Sequence, residues 1–401
     1  DDGVRLRNFV LFFGYHPLAD RGRELLADKA IKGALADDNR SDSHAWLEAE
    51  HWLRQLEHSA DPARARAASA RMVDLLLDAG RWADAATYYR RFNGEWADEI
   101  CLDGKKGREI AADLVSDERI ARAVSDTDTW PKGKVNVQKE NGQGMAQGRS
   151  AVVEFRGSPG PFFKQATVEV ETTMQQQTLV GRDGVGREQW RLSIKDRNDP
   201  NNFGINPAVN YVRADGHVVL ISLGYQVVAI DTLGTPTTPA SVLWRQDLND
   251  AVAGLPRHIG INLQAAPLPW GGGARMQAVD NNGRPLGNTS PMSSEFVCLQ
   301  RMRNLIAVDP LTKSTLWTRQ DIPSGSELFG DDEFLFVAPA TPASATEAMV
   351  YRTLDGEALG RREVPPADQR VFTLGRQVLA WEVNGDSEGT LRLFDVWRQV
   401  D

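Results

Sequence analysis

The chain has only two cysteines, Cys101 and Cys298, among 401 residues. That is too few for a disulfide framework or a cysteine-rich zinc cluster, so both are expected to be reduced, buried thiols. It also lacks any apolar run approaching the ~18 residues that cross a bilayer. The most apolar early stretch, Asn8 to Phe13, is too short and lacks the layout of a signal peptide. Basic residues are not in excess: 46 Lys and Arg stand against 55 Asp and Glu, a net charge of −9. A nucleic-acid surface needs clustered Lys and Arg, so that class of partner is excluded. What remains, 41% apolar and 25% charged residues, is ordinary for a soluble protein with room for two or three compact units. The chain begins with Asp1 rather than Met and ends at Asp401 in a strand-like segment, so a fragment or processed product is expected.

Residues 1–129 read as α-helical almost throughout. Ser41 or Ser43 can cap a helix in which Trp46, Leu47, Ala49, Trp52, Leu53 and Leu56 recur at spacings of three and four, making one apolar face. Asp61-Pro62 supplies a cap and an N1 proline for the next helix, which Gly80 ends. Trp82 to Tyr89 opens another. Small residues at Ala79, Ala83, Ala85 and Ala86 let two helices approach closely. Leu76 to Ala86 resembles the turn of a tetratricopeptide-type helical hairpin, although the 34-residue pattern does not recur. Irregular, α-solenoid-like helical hairpins are the expectation, with an ordinary helical bundle as the alternative.

Between Thr127 and Gly148 the composition shifts to turn formers, and a domain boundary is placed near residue 130. From 130 to 401 the pattern is one of short β-runs. One phrase recurs there: an apolar strand ending in Asp, a polar turn, then a strand bearing Trp. It is clearest at Leu305 to Asp309 with Trp317, at Val227 to Asp231 with Trp244, and at Leu179 to Asp183 with Trp190. A fourth copy, Val350 to Asp355, lacks the Trp. A fifth, Leu391 to Asp395, stops before a recognisable closing strand. Three of the four separations between these aspartates, 48, 46 and 40 residues, match a four-stranded propeller blade of ~40–50 residues. The fourth, 78 residues, contains Pro267 to Pro291, rich in Gly, Asn and Pro, which reads as a surface insertion. The Asp is expected to accept backbone N–H bonds in its turn, and the Trp to stack between neighbouring sheets.

These units resemble the tryptophan-bearing blades of pyrroloquinoline-quinone (PQQ)-like β-propellers, the group of the quinoprotein dehydrogenases and the outer-membrane assembly lipoprotein BamB. Leu305 to Trp317 is the best match, with Lys313 and Ser314 where that family usually has Gly and Lys. The resemblance spans roughly 148–401 and implies a partial propeller of about five recognisable blades. Helices joined to such a propeller also resemble the large envelope proteins of planctomycete-type bacteria. The fold expected is therefore α plus β and multidomain: residues 1–129 helical, 130–401 a propeller.

Chemistry is harder to find. A quinone enzyme of that family commonly needs adjacent cysteines, a calcium site and a catalytic Asp; Cys101 and Cys298 lie in different regions, and the aspartates sit in turns. His44, His51 and His58 are seven apart on a helix, which suits exposed side chains better than a metal site. Gly181 to Gly186 lies between strands with no helix behind it, so a hairpin turn is expected rather than a phosphate loop. Gly271 to Gly273 reads as a flexible loop. Asp196 to Asn202 is rich in oxygen donors but lacks calcium-loop spacing. Ser290, Ser293 and Ser294 lack a nucleophile-elbow context. Trp82, Tyr88 and Tyr89 suit core packing, or a contact between elements. No catalytic, cofactor or metal residue is assigned. The expectation is a non-enzymatic scaffold that binds other proteins through propeller loops or a helical groove, in the cell envelope or periplasm. A quinoprotein-like oxidoreductase and a carbohydrate- or small-ligand-binding propeller are the alternatives.

Overall fold

The computed structural model describes residues 2–36, 43–127, 150–155, 166–172, 177–184, 186–194, 209, 211–223, 226–234, 239–247, 262–267, 274–279, 288–301, 303–323, 325–339, 344–384 and 388–400. The boundary expected near residue 130, the Asp196–Asn202 turn and Gly271–Gly273 lie outside them. The chain divides into two units. The first holds Asp1–Gln143 with Gly216–Val218 and Asp231–Ser241; the second holds Gly144–Asp215, Val219–Ile230 and Val242–Asp401.

In the first unit, helices α1 (Asp2–Phe12), α2 (Ala19–Ala36), α3 (Ser43–Leu56) and α4 (Pro62–Asp78) follow one another. The apolar face read from the sequence of α3 is the buried one: Trp46, Leu47, Ala49, Trp52, Leu53 and Leu56 are all inside. Asp61 caps α4 through its side chain, accepting from the amides of Ala63 and Arg64, with Pro62 in the first turn. After Gly80, in the left-handed region at φ +74, comes the short α5 (Trp82–Ala86). That helix has five residues against the 17 of α4, so the two arms of this hairpin are unequal. Helix α6 (Tyr89–Asn93), the hairpin β1 (Ile100–Leu102) and β2 (Lys105–Lys106), and helices α7 (Gly107–Val115) and α8 (Glu118–Thr127) complete it. Their core gathers Ala70, Val73, Ala86, Phe92, Cys101, Ala111, Leu114 and Ile120, with Trp82, Tyr88 and Tyr89 packed against it.

The second unit is built of antiparallel sheets. Strands β3 (Ser150–Phe155), β4 (Thr167–Thr172), β5 (Gln177–Arg182) and β6 (Glu188–Ser193) form one meander. It continues through a parallel pairing of Val153 with Val212 into β7 (Tyr211–Asp215), β8 (Val218–Ser222), β9 (Gln226–Asp231) and β10 (Ser241–Asp247). A hairpin of β11 (Asn262–Pro267) and β12 (Ala274–Val279) follows. Next come a three-stranded sheet, β13 (Val297–Arg301), β14 (Asn304–Val308) and β15 (Thr315–Arg319), and a four-stranded one, β16 (Glu327–Gly330), β17 (Phe334–Ala338), β18 (Glu347–Arg352) and β19 (Ala358–Glu363). The last sheet holds β20 (Arg370–Leu374), β21 (Gln377–Asn384) and β22 (Glu388–Asp395).

Period-two alternation lets the β16–β19 sheet bury both faces. Leu328, Leu335, Val337 and Tyr351 pack on Cys298, Leu305, Ala307 and Trp317 of the β13–β15 sheet. Phe329, Phe336, Ala348 and Val350 pack on Val378 and Phe394 of the last sheet. The stretch Asn288–Ser290, expected at the surface as the end of an insertion, is instead buried, with Thr289 bridging to Leu299 and Ser290 bonded to Cys298.

Each aspartate of the repeated phrase accepts backbone amides in its turn, as expected: Asp183 from Arg187, Asp231 from Leu233 and Gly234, Asp309 from Thr312, Asp355 from Glu357, and Asp395 from Trp397 and Arg398. The turns do not all begin at the aspartate, however. Asp309 N–H bonds to Ser314 O while Lys313 N–H bonds to Asp309 O, and Asp395 repeats this with Val400 and Gln399. In the fourth copy the same pair of bonds starts from Arg352, with Glu357 and Gly356 as partners. Arg352, not Asp355, therefore opens that turn, and positions 309, 352 and 395 stand evenly, 43 residues apart. The unequal separations of 46 and 40 residues are thus a local displacement of the carboxylate, not of the turn. Lys313 at φ +62 and Gly356 at φ +70 occupy equivalent left-handed positions, where glycine is the residue without strain.

Indoles tie one sheet to another. Trp244 Nε1 donates to Pro310 O at 2.8 Å, and Trp317 Nε1 donates to Thr353 O at 2.7 Å. Both acceptors are the second residue of a turn, one after Asp309 and one after Arg352. Trp317 also lies against Gly356, where an added Cβ would come within 2.6 Å of the ring. Replacing Trp317 by Phe keeps most of the apolar contact but leaves Thr353 O without its donor. A loss of about 1–2 kcal/mol is expected, against about 3–5 kcal/mol for Trp317→Ala, read from denaturation midpoints.

Candidate functional site

An ion-paired group lies in the first unit around His217: Glu50 is buried, His217 largely so, and Asp84 half exposed. Sequence reading passed over His217, because its partners are far away in the chain. Helix α3 presents Glu50 from its buried face, and α5 presents Asp84. Gly216, at φ +57, turns the backbone so that His217 meets both. His217 Nδ1 lies 2.9 Å from Glu50 Oε1, its Nε2 lies 3.3 Å from Asp84 Oδ2, and its amide N–H donates to Glu50 Oε2 at 3.3 Å. A Cβ on residue 216 would fall 2.4 Å from Glu50 Oε1, so this close approach requires glycine. The carbonyl of His217 accepts from the amide and the hydroxyl of Thr232, while Arg81 donates to the carbonyls of Thr232 and Leu233.

Burial alone would pull the His217 pKa down. The charge of Glu50, with the bonds from Asp84 and Glu50, outweighs it and lifts the value to about 10. The imidazolium in turn lowers the pKa of Asp84 against the opposing effect of burial. A ring donating from both nitrogens offers no lone pair to a proton or a metal. The two carboxylates lie at opposite nitrogens and do not converge. Among the described residues, no group of three or more His, Cys, Asp and Glu side chains is arranged to hold a metal ion. The geometry is that of an ion-paired clasp, buried at Glu50 and half exposed at Asp84.

Beside it, also on α3, His51 bonds to Gln55 at 3.1 Å, and Gln55 accepts from Arg23 Nε at 2.9 Å. His51 is buried, edge-on to Trp52, contrary to the expectation of three exposed histidines; His44 and His58 are exposed. The face of α3 toward the core is wide enough to take in His51 as well as the apolar residues. Cys101 and Cys298 are free and buried, and burial raises both thiol pKa values, the reverse of what a nucleophile needs. Ser290 Oγ is occupied by Pro291 O and the Cys298 amide. Of the stretch Gly181 to Gly186, Gly181 and Arg182 end β5, and Asp183 and Gly186 are bonded in the hairpin turn expected between β5 and β6.

No family model matches the chain, and no curated protein matches it in sequence. Among solved structures, BamB from Moraxella catarrhalis is similar over 58% of this chain and 58% of its own, at 13% identity and a TM-score of 0.31. Sqt1 from Saccharomyces cerevisiae is similar over 62% and 57%, at 9% identity and a TM-score of 0.35. The quinohemoprotein alcohol dehydrogenase from Comamonas testosteroni is similar over 50% and 36%, at 15% identity and a TM-score of 0.28. The chain thus spans less than two thirds of each. Among the described residues, no helix is long and apolar enough to cross a membrane.

The clasp has a signed pH dependence. His217 has a folded pKa of about 10, above the ordinary 6.5. Its contribution to stability is therefore complete below about 6.5 and is lost as pH rises through about 10. His217→Gln should be destabilised by about 3 kcal/mol at pH 6, with the gap to the unsubstituted protein closing toward pH 10 in parallel urea titrations. Gly216→Ala should cost at least about 1 kcal/mol in the same measurement, from strain at positive φ and the clash with Glu50.

Proposed function

We propose that the protein is a non-enzymatic interaction scaffold of a bacterial cell envelope, whose helical hairpins and PQQ-like propeller blades present binding surfaces for other proteins. On this reading the β-region supplies about five recognisable blades; the β13–β15, β16–β19 and β20–β22 sheets face one another and their turns open at 43-residue intervals, as blades of a propeller require. The observation that carries the reading is how the polar groups of the repeat are used. The turn aspartates accept backbone amides, and the indoles of Trp244 and Trp317 donate to neighbouring turns. The repeat is thus accounted for by architecture, which favours binding through its loops over chemistry at its turns. A periplasmic or envelope location follows only from the resemblance to BamB-type propellers. A quinoprotein-like oxidoreductase remains the second reading, because the same blade phrase occurs in quinoprotein dehydrogenases.

Affinity capture of the full-length protein, followed by mass spectrometry, tests the two. Reproducible recovery of a specific protein partner, without quinone-dependent dye reduction, is the expected result. Dye reduction that requires added quinone, with no partner recovered, would overturn the scaffold reading.

A further inference from the structure

Three separate stretches of chain make up the first unit: Asp1–Gln143, Gly216–Val218 and Asp231–Ser241. The second stretch holds the turn between β7 and β8, and the third begins with the turn that follows β9. Neither is a loose loop. Val218, Asp231, Thr232 and Leu233 are buried, and Asp231 holds the amides of Leu233 and Gly234. The two turns are also bonded to each other, since Thr232 gives both its amide and its hydroxyl to His217 O.

The helices grip this pair of turns at two points. Glu50 of α3 and Asp84 of α5 take the ring of His217, and Glu50 takes its amide as well. Arg81, at the head of α5, donates to the carbonyls of Thr232 and Leu233. These bonds cross 133 to 167 positions of sequence, so α3 and α5 are joined through turns that neither contains. The Glu50 side chain is only 5% exposed. Were the first turn to leave, that carboxylate would lose its cation; were the second, two carbonyls would lose Arg81. The turns come pre-ordered, because the strands beside them place Ala214, Val219, Val228 and Ile230 in a core of their own.

We propose that the turns at 216–218 and 231–234 are the latch of the helical unit, and that they open and close together with α3 and α5 as one cooperative element. Units of local opening often coincide with a single supersecondary motif; this one joins stretches far apart in the chain. While the latch is shut, the face that α3 and α5 turn toward His217 is filled by the chain itself and is closed to a partner protein. The inference stands on the clasp and not on the scaffold reading.

Hydrogen exchange of the full chain at neutral pH, read by mass spectrometry of its peptides, tests it. In the unsubstituted protein, the bonded amides of α3, α5 and both turns should exchange with one common opening constant. His217→Gln should speed exchange in all of them alike, at least about tenfold, while β16–β19 is unchanged. Arg81→Met, which loosens only the second turn directly, should speed exchange at α3 and at the first turn as well. Turns that exchange faster than α3 and α5 in the unsubstituted protein overturn the proposal. So does an Arg81→Met effect confined to α5 and residues 231–234, or a His217→Gln effect that spreads equally to β16–β19. Should His217→Gln misfold, as circular dichroism would show, Arg81→Met and the milder Glu50→Gln carry the same test with the same expected direction.

Discussion

When the indole N–H of Trp317 reaches Thr353 O, a side chain from one sheet fixes where the next sheet's turn must sit. Trp244 does the same to Pro310. Apolar faces alone are tolerant: valine, leucine and phenylalanine slide against one another with modest loss. A directional bond from a large ring, which also fills the space over Gly356, removes that freedom. Secondary ties run along both seams. Lys313 Nζ donates back to Arg245 O, and Arg319 donates to Asp355 O and Gly356 O. Burial of Leu328, Phe329, Phe336 and Val350 on both sides of the β16–β19 sheet then follows from a register already set.

The first unit solves a different problem, that of a largely buried cation. His217 is matched at both ring nitrogens, and its backbone amide and carbonyl are bonded too. A buried pair of this kind contributes less to net stability than its geometry suggests, because desolvation opposes it. Its larger effect is on specificity: removing either partner strands a charge. Glycine at 216 is the permissive element, since any side chain there would displace Glu50.

Much of this was legible in the sequence, and the failures have physical reasons. The apolar stripe of α3 and the cap at Asp61 depend on residues within one or two turns of each other, so spacing alone revealed them. The Asp turns were legible for the same reason, and the packing of Trp317 because its phrase repeats along the chain. Arg352 was not, because Asp355, three residues into the turn, also accepts a backbone amide there and so reads as the aspartate that opens the other turns. Asn288 to Ser290 look like loop residues by composition, yet they are buried beside β13, where pairing satisfies their backbone. The clasp joins residues 133 and 167 positions apart, and no local pattern can announce it.

The indole's partner in each seam is a peptide carbonyl, a group every residue carries. Pro310 and Thr353 serve equally well, though their side chains have nothing in common. Arg352 likewise replaces aspartate at the head of a turn whose backbone bonds are unchanged. Selection on such a seam therefore constrains one aromatic donor and a backbone path, while leaving the receiving positions free to drift. A chain assembled on this principle can diverge until its letters match no family, and still place its turns at constant intervals.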